Sequence, residues 1–260
     1  MFIPIEKKPR IFVNIAFFID DNFINRSLIL KKVVNNYLRS FSKVDIYIHT
    51  NRMLKKKFRI KKVKYIYHSL SEYDRWKLPW KSREYISSKK EEYDYYIHTD
   101  DDIFFTKKNF NYWLKYKDEC IKNQYNLGFV RIEKNLKLFS VDINKKLSRK
   151  ILINTSQFIV NNINPYCAFW IYDKNELNKF IESKYWNLNN WSNNKYYGPL
   201  EMAAIGWHGL NMDRYKNTIL PIKNNKIVKE AKIIHLTNNY SNFNDPLNMN
   251  HGSLEFNNLF

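Results

Sequence analysis

The chain of 260 residues is 44% hydrophobic and 17% aromatic, which excludes a disordered protein and allows one large domain with a buried core. Its formal net charge of +19 favours an anionic partner, such as a nucleotide, a nucleic acid or a membrane surface. The two cysteines form no CxxC pair, so neither a disulfide framework nor a zinc site is indicated.

The sequence shows no sign of membrane insertion or secretion. No apolar stretch approaches the ~20 residues that a membrane span needs, and residues 1–10 lack the apolar core of a signal peptide. We therefore expect a soluble, cytoplasmic protein without a transmembrane segment. Residues 52–64 carry eight positive charges and no acid. We interpret this run as a solvated surface, with peripheral docking to an anionic membrane as the alternative.

The first hundred residues alternate between strand and helix patterns. Four apolar runs predict buried strands: residues 10–19, 44–49, 63–67 and 95–97. Apolar residues at helical spacing from Leu28 to Phe41 predict an amphipathic helix, and helical character returns over residues 81–92. The order β-α-β-β-α-β is typical of a mostly parallel sheet covered by helices.

Three consecutive carboxylates follow the fourth strand. Asp100, Asp101 and Asp102 stand between the apolar runs 95–97 and 103–105. Adjacent carboxylates beside a buried strand repel one another and are costly to desolvate, and a bound Mg²⁺ or Mn²⁺ would remove that cost. An exposed acidic turn is the alternative, but it does not account for the apolar runs on both sides. In open α/β sheets ligands bind at the carboxyl ends of strands, which is where the triplet lies.

The second half is less regular. Strands are predicted over residues 127–132, 136–143, 151–160 and 231–236, and helices near Phe110, after Asp173 and from Gly198–Pro199. A hairpin is predicted at Asn224–Asn225, and the Asn- and Trp-rich loop over residues 184–197 is long enough to suggest binding. We expect one domain over residues 1–240, with a nucleotide-binding half (1–105) and an acceptor-binding half (106–240), followed by a tail (241–260).

The five glycines form neither GxGxxG nor a Walker loop, so no glycine-rich turn is available to cradle phosphates. A cation held by Asp102 could bridge the two phosphates of a nucleotide instead. There it would act as a Lewis acid that stabilises a leaving diphosphate.

These motifs carry a family resemblance. The strand that runs into Asp100–Asp102 resembles the DxD signature of GT-A glycosyltransferases of the viral and bacterial type. The segment Ile233, Ile234, His235 and Leu236 is similar to the region where many of these enzymes supply a histidine ligand, and the helix after Gly198 resembles the one that supplies a catalytic carboxylate. The resemblance implies an α/β fold: a single Rossmann-like GT-A domain with a mostly parallel central sheet flanked by helices and a smaller mixed acceptor-side sheet.

The resemblance also implies roles. Asp100 would contact the ribose or the metal, Asp102 would bind Mn²⁺ or Mg²⁺, and His235 would complete the coordination. Glu201 would deprotonate a hydroxyl of a glycan or other acceptor in an inverting reaction, with a nucleotide-diphosphate sugar, expected to be UDP-linked, as donor. Asp101 is assigned to the same donor site. Glu201 departs from the usual pair of adjacent acids because Met202 follows it.

Other candidates have structural alternatives. Lys81 and Arg83 could grip phosphate and Trp80 could pack on a base, although a solvated helix face explains them equally well. Asp20 ends the first strand and is either a base-binding residue or part of a polar turn. Glu201 is either the catalytic base or a carboxylate that stabilises a helix N-terminus.

Histidines 98, 208 and 235 compete as metal ligands. His235 is favoured because it ends a strand. His208 is the competing ligand, and His98 is interpreted as structural because alternation turns it away from the triplet.

Two further function classes remain open. A metal-dependent phosphohydrolase of the DxDx[TV] type needs Thr or Val at position 104, where Phe104 stands. A nucleic-acid-binding module would explain the charge and the aromatic residues but not an acidic triplet beside a buried strand, so no specific nucleic acid is expected.

Overall fold

The computed structural model describes residues 8–134, 136–187, 197–207, 217–240 and 254–260, which form a mixed α/β fold. Within these ranges the strands are β1 (Ile11–Ala16), β2 (Val44–Thr50), β3 (Lys64–Tyr67), β4 (Tyr95–Asp100), β5 (Ile103–Phe104), β6 (Asn126–Leu127), β7 (Val130–Lys134), β8 (Leu138–Ser140), β9 (Lys150–Ile153), β10 (Ser156–Asn161), β11 (Phe169–Asp173), β12 (Thr218–Lys223), β13 (Lys226–Ile227) and β14 (Lys232–His235). The helices are α1 (Phe23–Ser40), α2 (Lys77–Ser88), α3 (Lys107–Lys122), α4 (Lys174–Glu182) and α5 (Pro199–Ala204).

The central sheet has the order β11-β4-β1-β2-β3. β4, β1, β2 and β3 are parallel, and β11 is antiparallel to β4. Every residue of β1 is buried: Ile11, Val13 and Ile15 enter one apolar cluster, and Phe12 enters another. Val13 packs with the buried side of α1, and Phe12 packs with residues of α2 and α4. The predicted mostly parallel sheet with covering helices is therefore confirmed.

Two smaller mixed sheets complete the fold. One runs β13-β12-β10-β9, with β6 paired to β12, and the other runs β5-β14-β7-β8. The second one matters for the site because β5 directly follows the acidic triplet. Its Ile103 pairs with His235 of β14, so this pairing brings the end of β14 beside the triplet.

Several predicted elements have different bounds. α2 begins at Lys77 instead of residue 81, because Pro79 lies in its first turn, where proline is tolerated. The predicted strand over residues 127–132 divides at Gly128, whose missing Cβ would lie 2.4 Å from the Thr218 side chain. The predicted strand over 151–160 is the hairpin β9–β10, which turns at Asn154 with a φ of 50°. β11 was not predicted, although an apolar run at residues 167–172 marks it.

Leu28 was predicted to belong to the buried apolar stripe of α1, and this prediction is wrong. The helix buries Leu30, Val33, Val34 and Tyr37, whereas Leu28 is 60% exposed. The periodicity was therefore right for the second half of the helix and misplaced at its beginning.

The last seven residues pack onto the body of the protein. Glu255 forms an isolated bridge with Phe139 of β8, and Phe256 and Leu259 are buried in the main apolar cluster. The remainder of the predicted tail, residues 241–253, lies outside the described residues. No described helix combines the length and the apolar character needed to cross a bilayer.

Candidate functional site

A cavity of about 870 Å³ lies where β1 and β4 end, lined by Ala16 of β1 and by its pairing partner Asp100 of β4. Its described lining contains six carboxylates against three arginines and one histidine. The carboxylates belong to Asp20, Asp100, Asp101, Asp102, Asp142 and Glu201, and the basic groups to Arg26, Arg75, Arg131 and His235. The cavity is therefore locally acidic in a chain whose net charge is +19.

The acidic triplet enters the cavity through a tight turn. Asp100 ends β4, Asp101 and Asp102 form the turn, and Ile103 begins β5. Ile103 is fully buried and Asp101 is only 6% exposed, so the apolar runs on both sides hold the turn inside the protein. The exposed acidic turn that was the alternative for this stretch is excluded.

The carboxylates of this turn are unequal in charge. Burial and then the charges of Asp102 and Asp101 raise the pKa of Asp100 to about 7. Burial and the charge of Asp102 raise the pKa of Asp101 to about 6, although Arg26 opposes this shift. Burial raises the pKa of Asp102, but the hydrogen bond and charge of His235, the hydrogen bond from Thr237 and the charge of Arg131 together outweigh it and hold the pKa below its ordinary value. The pKa values of Asp100 and Asp101 are therefore raised, whereas that of Asp102 is lowered.

His235 is held between two carboxylates. Its Nε2 lies 3.0 Å from Oδ2 of Asp102, and its Nδ1 lies 2.5 Å from Oε1 of Glu133. Burial lowers the pKa of His235, but the hydrogen bonds to Asp102 and Glu133 outweigh it and raise the pKa to about 9. The hydroxyl of Thr237 also donates to Asp102, at 3.1 Å. Glu133 is fully buried, and its other carboxylate oxygen accepts from the backbone N–H of Tyr240 at 2.8 Å.

Arg26 of α1 neutralises part of the acidic charge. Its guanidinium donates to Oδ1 of Asp101 at 2.8 Å and to Oδ2 of Asp20 at 3.0 Å. Asp20, the predicted base-binding residue, lies in the cavity, and Arg75 approaches it at 3.7 Å. Arg26 therefore links Asp20, in the loop after β1, to Asp101 of the acidic triplet.

Arg131 forms a second ion pair in the cavity lining. Its Nε and Nη2 donate to the two oxygens of Asp142 at 2.9 and 2.8 Å, and its guanidinium lies over the rings of Tyr166 and Tyr240. Burial lowers the pKa of Arg131, and the Asp142 carboxylate more than reverses that shift. Arg26, Arg131, Glu133 and Asp142 were not predicted, because a charged residue in a helix, a strand or a bend gives no local signal of burial.

Two side chains of the cavity, those of Asp102 and His235, could serve as ligands of a cation. Among the described residues no three His, Cys, Asp or Glu side chains are arranged to hold a metal ion. Asp102 and His235 nevertheless face each other, and the second ring nitrogen of His235 is bound to a buried carboxylate, as is usual for metal-ligating histidines. One or two carboxylates completed by water and substrate phosphates are a common way of binding Mg²⁺. The residues therefore fit a cation that a nucleotide helps to hold.

Glu201 lies in the first turn of α5 and lines the same cavity as Asp100 and Asp102. Its Oε2 accepts a hydrogen bond from the backbone N–H of Gly198 at 2.8 Å, which stabilises the beginning of the helix. The position of Glu201 at the beginning of the helix agrees with its structural interpretation. Its catalytic role stays a prediction, with the carboxylate in a suitable place.

Trp80, Lys81 and Arg83 do not line the acidic cavity. The indole Nε1 of Trp80 donates to the carbonyl of Pro199 at 2.8 Å, and Lys81 pairs with Glu84 at the surface. Arg83 is 1% exposed, and its guanidinium donates to four backbone carbonyls: those of Ala203, Tyr185, Trp186 and Met202. In this structure Trp80 and Arg83 hold α5, and their predicted contacts with a nucleotide stay without support.

The predictions for the two remaining histidines, His98 and His208, have different outcomes. His98 is fully buried, stacks on Trp170 and lies 2.8 Å from the side-chain nitrogen of Asn14, so its structural interpretation is confirmed. His208 and most of the predicted Asn- and Trp-rich binding loop lie outside the described residues.

No family model and no curated protein matches the chain. Among solved structures it is similar to the crystal structure of S. aureus TarS 1–349, with a TM-score of 0.43 and 12% sequence identity. The match covers 76% of this chain and 56% of the TarS chain. At that TM-score the likeness carries no argument about chemistry, so the functional argument rests on the cavity.

Proposed function

We propose that the chain is a metal-dependent glycosyltransferase that moves a sugar from a nucleotide-diphosphate donor, with UDP as the expected nucleotide, to a hydroxyl acceptor. The observation that supports this most is the surplus of buried carboxylates at the carboxyl ends of β1 and β4. A basic protein keeps such a surplus in a cavity at a cost in stability, and a divalent cation bound with a diphosphate would relieve that cost. A cavity of about 870 Å³ is also large enough for a nucleotide sugar.

Asp102 and His235 are the residues that would hold Mn²⁺ or Mg²⁺, with Asp100 as a third candidate. The cation supplies a positive charge that stabilises the diphosphate as it leaves. Glu133 orients His235, so that Nε2 faces Asp102 instead of turning into the core. Asp20, in the loop after β1, and Arg75, just before α2, line the cavity and would contact the nucleoside part of the donor.

Glu201 is the group proposed to accept the proton of the acceptor hydroxyl. Its carboxylate lies on the α5 side of the cavity, and its hydrogen bond to Gly198 keeps the side chain in one orientation. A base that is separate from the donor-binding carboxylates suits an inverting displacement, in which the acceptor attacks from the face opposite the leaving diphosphate.

The test is a thermal-shift screen of nucleoside diphosphates and nucleotide sugars with and without Mn²⁺, because binding to the native state raises the melting temperature. We expect stabilisation by one nucleotide series only when Mn²⁺ is present. Stabilisation by phosphate monoesters, followed by release of inorganic phosphate, would instead support a phosphohydrolase. Absence of any nucleotide effect with Mn²⁺ or Mg²⁺ would contradict the proposal.

A further inference from the structure

One surface beside the cavity exposes aliphatic side chains among cations. On α1, Ile24 and Leu28 are 56% and 60% exposed, and they share one helix face because they are four residues apart. In the segment between β2 and β3, Met53 is 74% exposed. We call these three side chains and the exposed cations of that segment the basic-apolar face. Its cations are Arg52, Lys55, Lys56, Arg59, Lys61 and Lys62.

The two parts of this face are fixed to each other and to the body. The rings of Phe23, at the beginning of α1, and Phe58 pack edge to face with their centroids 5.2 Å apart. Within the segment, Leu54 is only 8% exposed, and its carbonyl accepts a hydrogen bond from the guanidinium of Arg59 at 3.1 Å. The cations are therefore displayed by an anchored segment next to the helix that carries Ile24 and Leu28.

The same helix turns border the cavity. Asn22, Asn25, Arg26 and Ile29 line it, and Ile24 and Leu28 stand between them in the sequence on the outward side of α1. At about 100° per residue, Ile24 and Leu28 point away from the side of α1 that lines the cavity.

We propose that the basic-apolar face docks on an anionic lipid bilayer. Aliphatic side chains that are costly to expose to water gain free energy at the boundary of the acyl chains, while nearby lysines meet lipid phosphates. Single-stranded nucleic acid would match the cations, but such sites stack bases on aromatic side chains, and the exposed apolar members here are Ile, Leu and Met. This docking does not depend on the function proposed above.

The test is cosedimentation with vesicles of phosphatidylcholine alone or mixed with phosphatidylglycerol. We expect binding to the mixed vesicles only, weakened by added salt. The double variant K55Q/K56Q should lower the partition coefficient roughly 25-fold, since each basic residue near the surface contributes about fivefold. I24S/L28S should lower it by about tenfold or more, because the apolar contacts are lost.

Matched controls come from exposed residues that are not part of the basic-apolar face. Lys145 and Lys146 are exposed cations, and Leu152 is 67% exposed on β9. K145Q/K146Q and L152S should bind vesicles like the unmodified chain. Equal loss in the control variants, or equal binding to neutral vesicles, would overturn the proposal. Binding of a single-stranded oligonucleotide that K55Q/K56Q weakens, without vesicle binding, would overturn it in favour of nucleic acid.

Discussion

Two regions of this protein bury charge, and they do so in opposite ways. Arg83 is enclosed by four backbone carbonyls and lies over the rings of Trp80, Phe180 and Trp186. Burial lowers its pKa to about 9, so the guanidinium still carries its charge at neutral pH. The carboxylates of Asp100 and Asp101 instead lie beside further carboxylates, and the pKa of each is raised. A buried cation that donates to several backbone carbonyls stabilises the elements around it, whereas a surplus of buried carboxylates is the feature that the proposed cation would relieve.

Helix α5 connects the two regions. Trp80 and Arg83 bind the carbonyls of Pro199, Met202 and Ala203, while Glu201 of the same helix lines the cavity. Trp80 and Arg83, which were predicted to bind the nucleotide, therefore position helix α5, which carries the candidate base Glu201.

The largest expected effect concerns catalysis on α5. If Glu201 is the base, Glu201→Gln should lower turnover by about 10²–10⁴-fold while the affinity for the donor stays nearly constant. Glutamine can still accept the hydrogen bond from Gly198, so the helix start is preserved. A role limited to the helix N-terminus predicts near-normal turnover and a stability loss of roughly 0.3–1 kcal/mol. Steady-state kinetics and thermal unfolding of this one variant distinguish the two.

The next effect tests the fastening role of Arg83. Arg83→Met leaves buried carbonyls without donors and should lower the free energy of unfolding by roughly 3–5 kcal/mol. Lys81 lies on the same helix and forms only an exposed ion pair with Glu84. Lys81→Ala should therefore change the free energy of unfolding by no more than about 0.5 kcal/mol. Denaturant unfolding of both variants makes the measurement. A loss below about 1 kcal/mol in Arg83→Met would show that the guanidinium is not a structural centre.

The carboxylate cluster should have the opposite response. Because the folded-state pKa of Asp100 is about 7 and its ordinary value is 3.8, the folded state loses stability as pH rises between those values. Without divalent cations, Asp100→Asn should therefore stabilise the protein by roughly 1–4 kcal/mol near pH 8 and by little near pH 4. The exposed acid Asp118 offers a control, since Asp118→Asn should have a small effect throughout. A stabilisation that does not depend on pH would contradict the account.

A smaller effect is expected at Glu133. Glu133→Gln weakens the orientation of His235 and should lower the affinity for Mn²⁺ by about 10–100-fold, as is usual for groups that orient a metal ligand. His235→Ala should weaken activation by Mn²⁺ more than activation by Mg²⁺, because a nitrogen ligand favours Mn²⁺. Titration of both metals into the two variants with nucleotide present makes the comparison. If Glu133→Gln leaves the Mn²⁺ affinity unchanged, the buried carboxylate has only a packing role.

The site residues that could be predicted from the sequence are those that are marked by their immediate neighbours in the chain. Asp100, Asp101 and Asp102 were predicted because an apolar strand, three acids and another apolar run adjoin in the chain. His235 was predicted from its place at a strand end, but its contact with Asp102 depends on the pairing of β5 with β14. Glu133 lies 102 residues from His235 and looks like an ordinary strand acid until the sheet order is known.

The role of Arg83 also depends on residues that are distant in the sequence. A basic residue within a tryptophan-rich helix suits either a phosphate or a solvated face, and only the approach of α5 determines that it binds carbonyls. The exposure of Leu28 was likewise invisible to periodicity, because an apolar residue next to a buried stripe has no partner of its own in the sequence.

The most direct test of the central claim is calorimetric titration of UDP into the protein, with Mn²⁺ or with a chelator. The account predicts UDP binding with Mn²⁺ and none with the chelator. It further predicts that Asp102→Asn abolishes the Mn²⁺-dependent part, whereas Asp118→Asn keeps it. An Asp102→Asn protein that binds UDP with the same Mn²⁺-dependent affinity as the unmodified chain would contradict the claim that this cavity holds a metal–nucleotide complex.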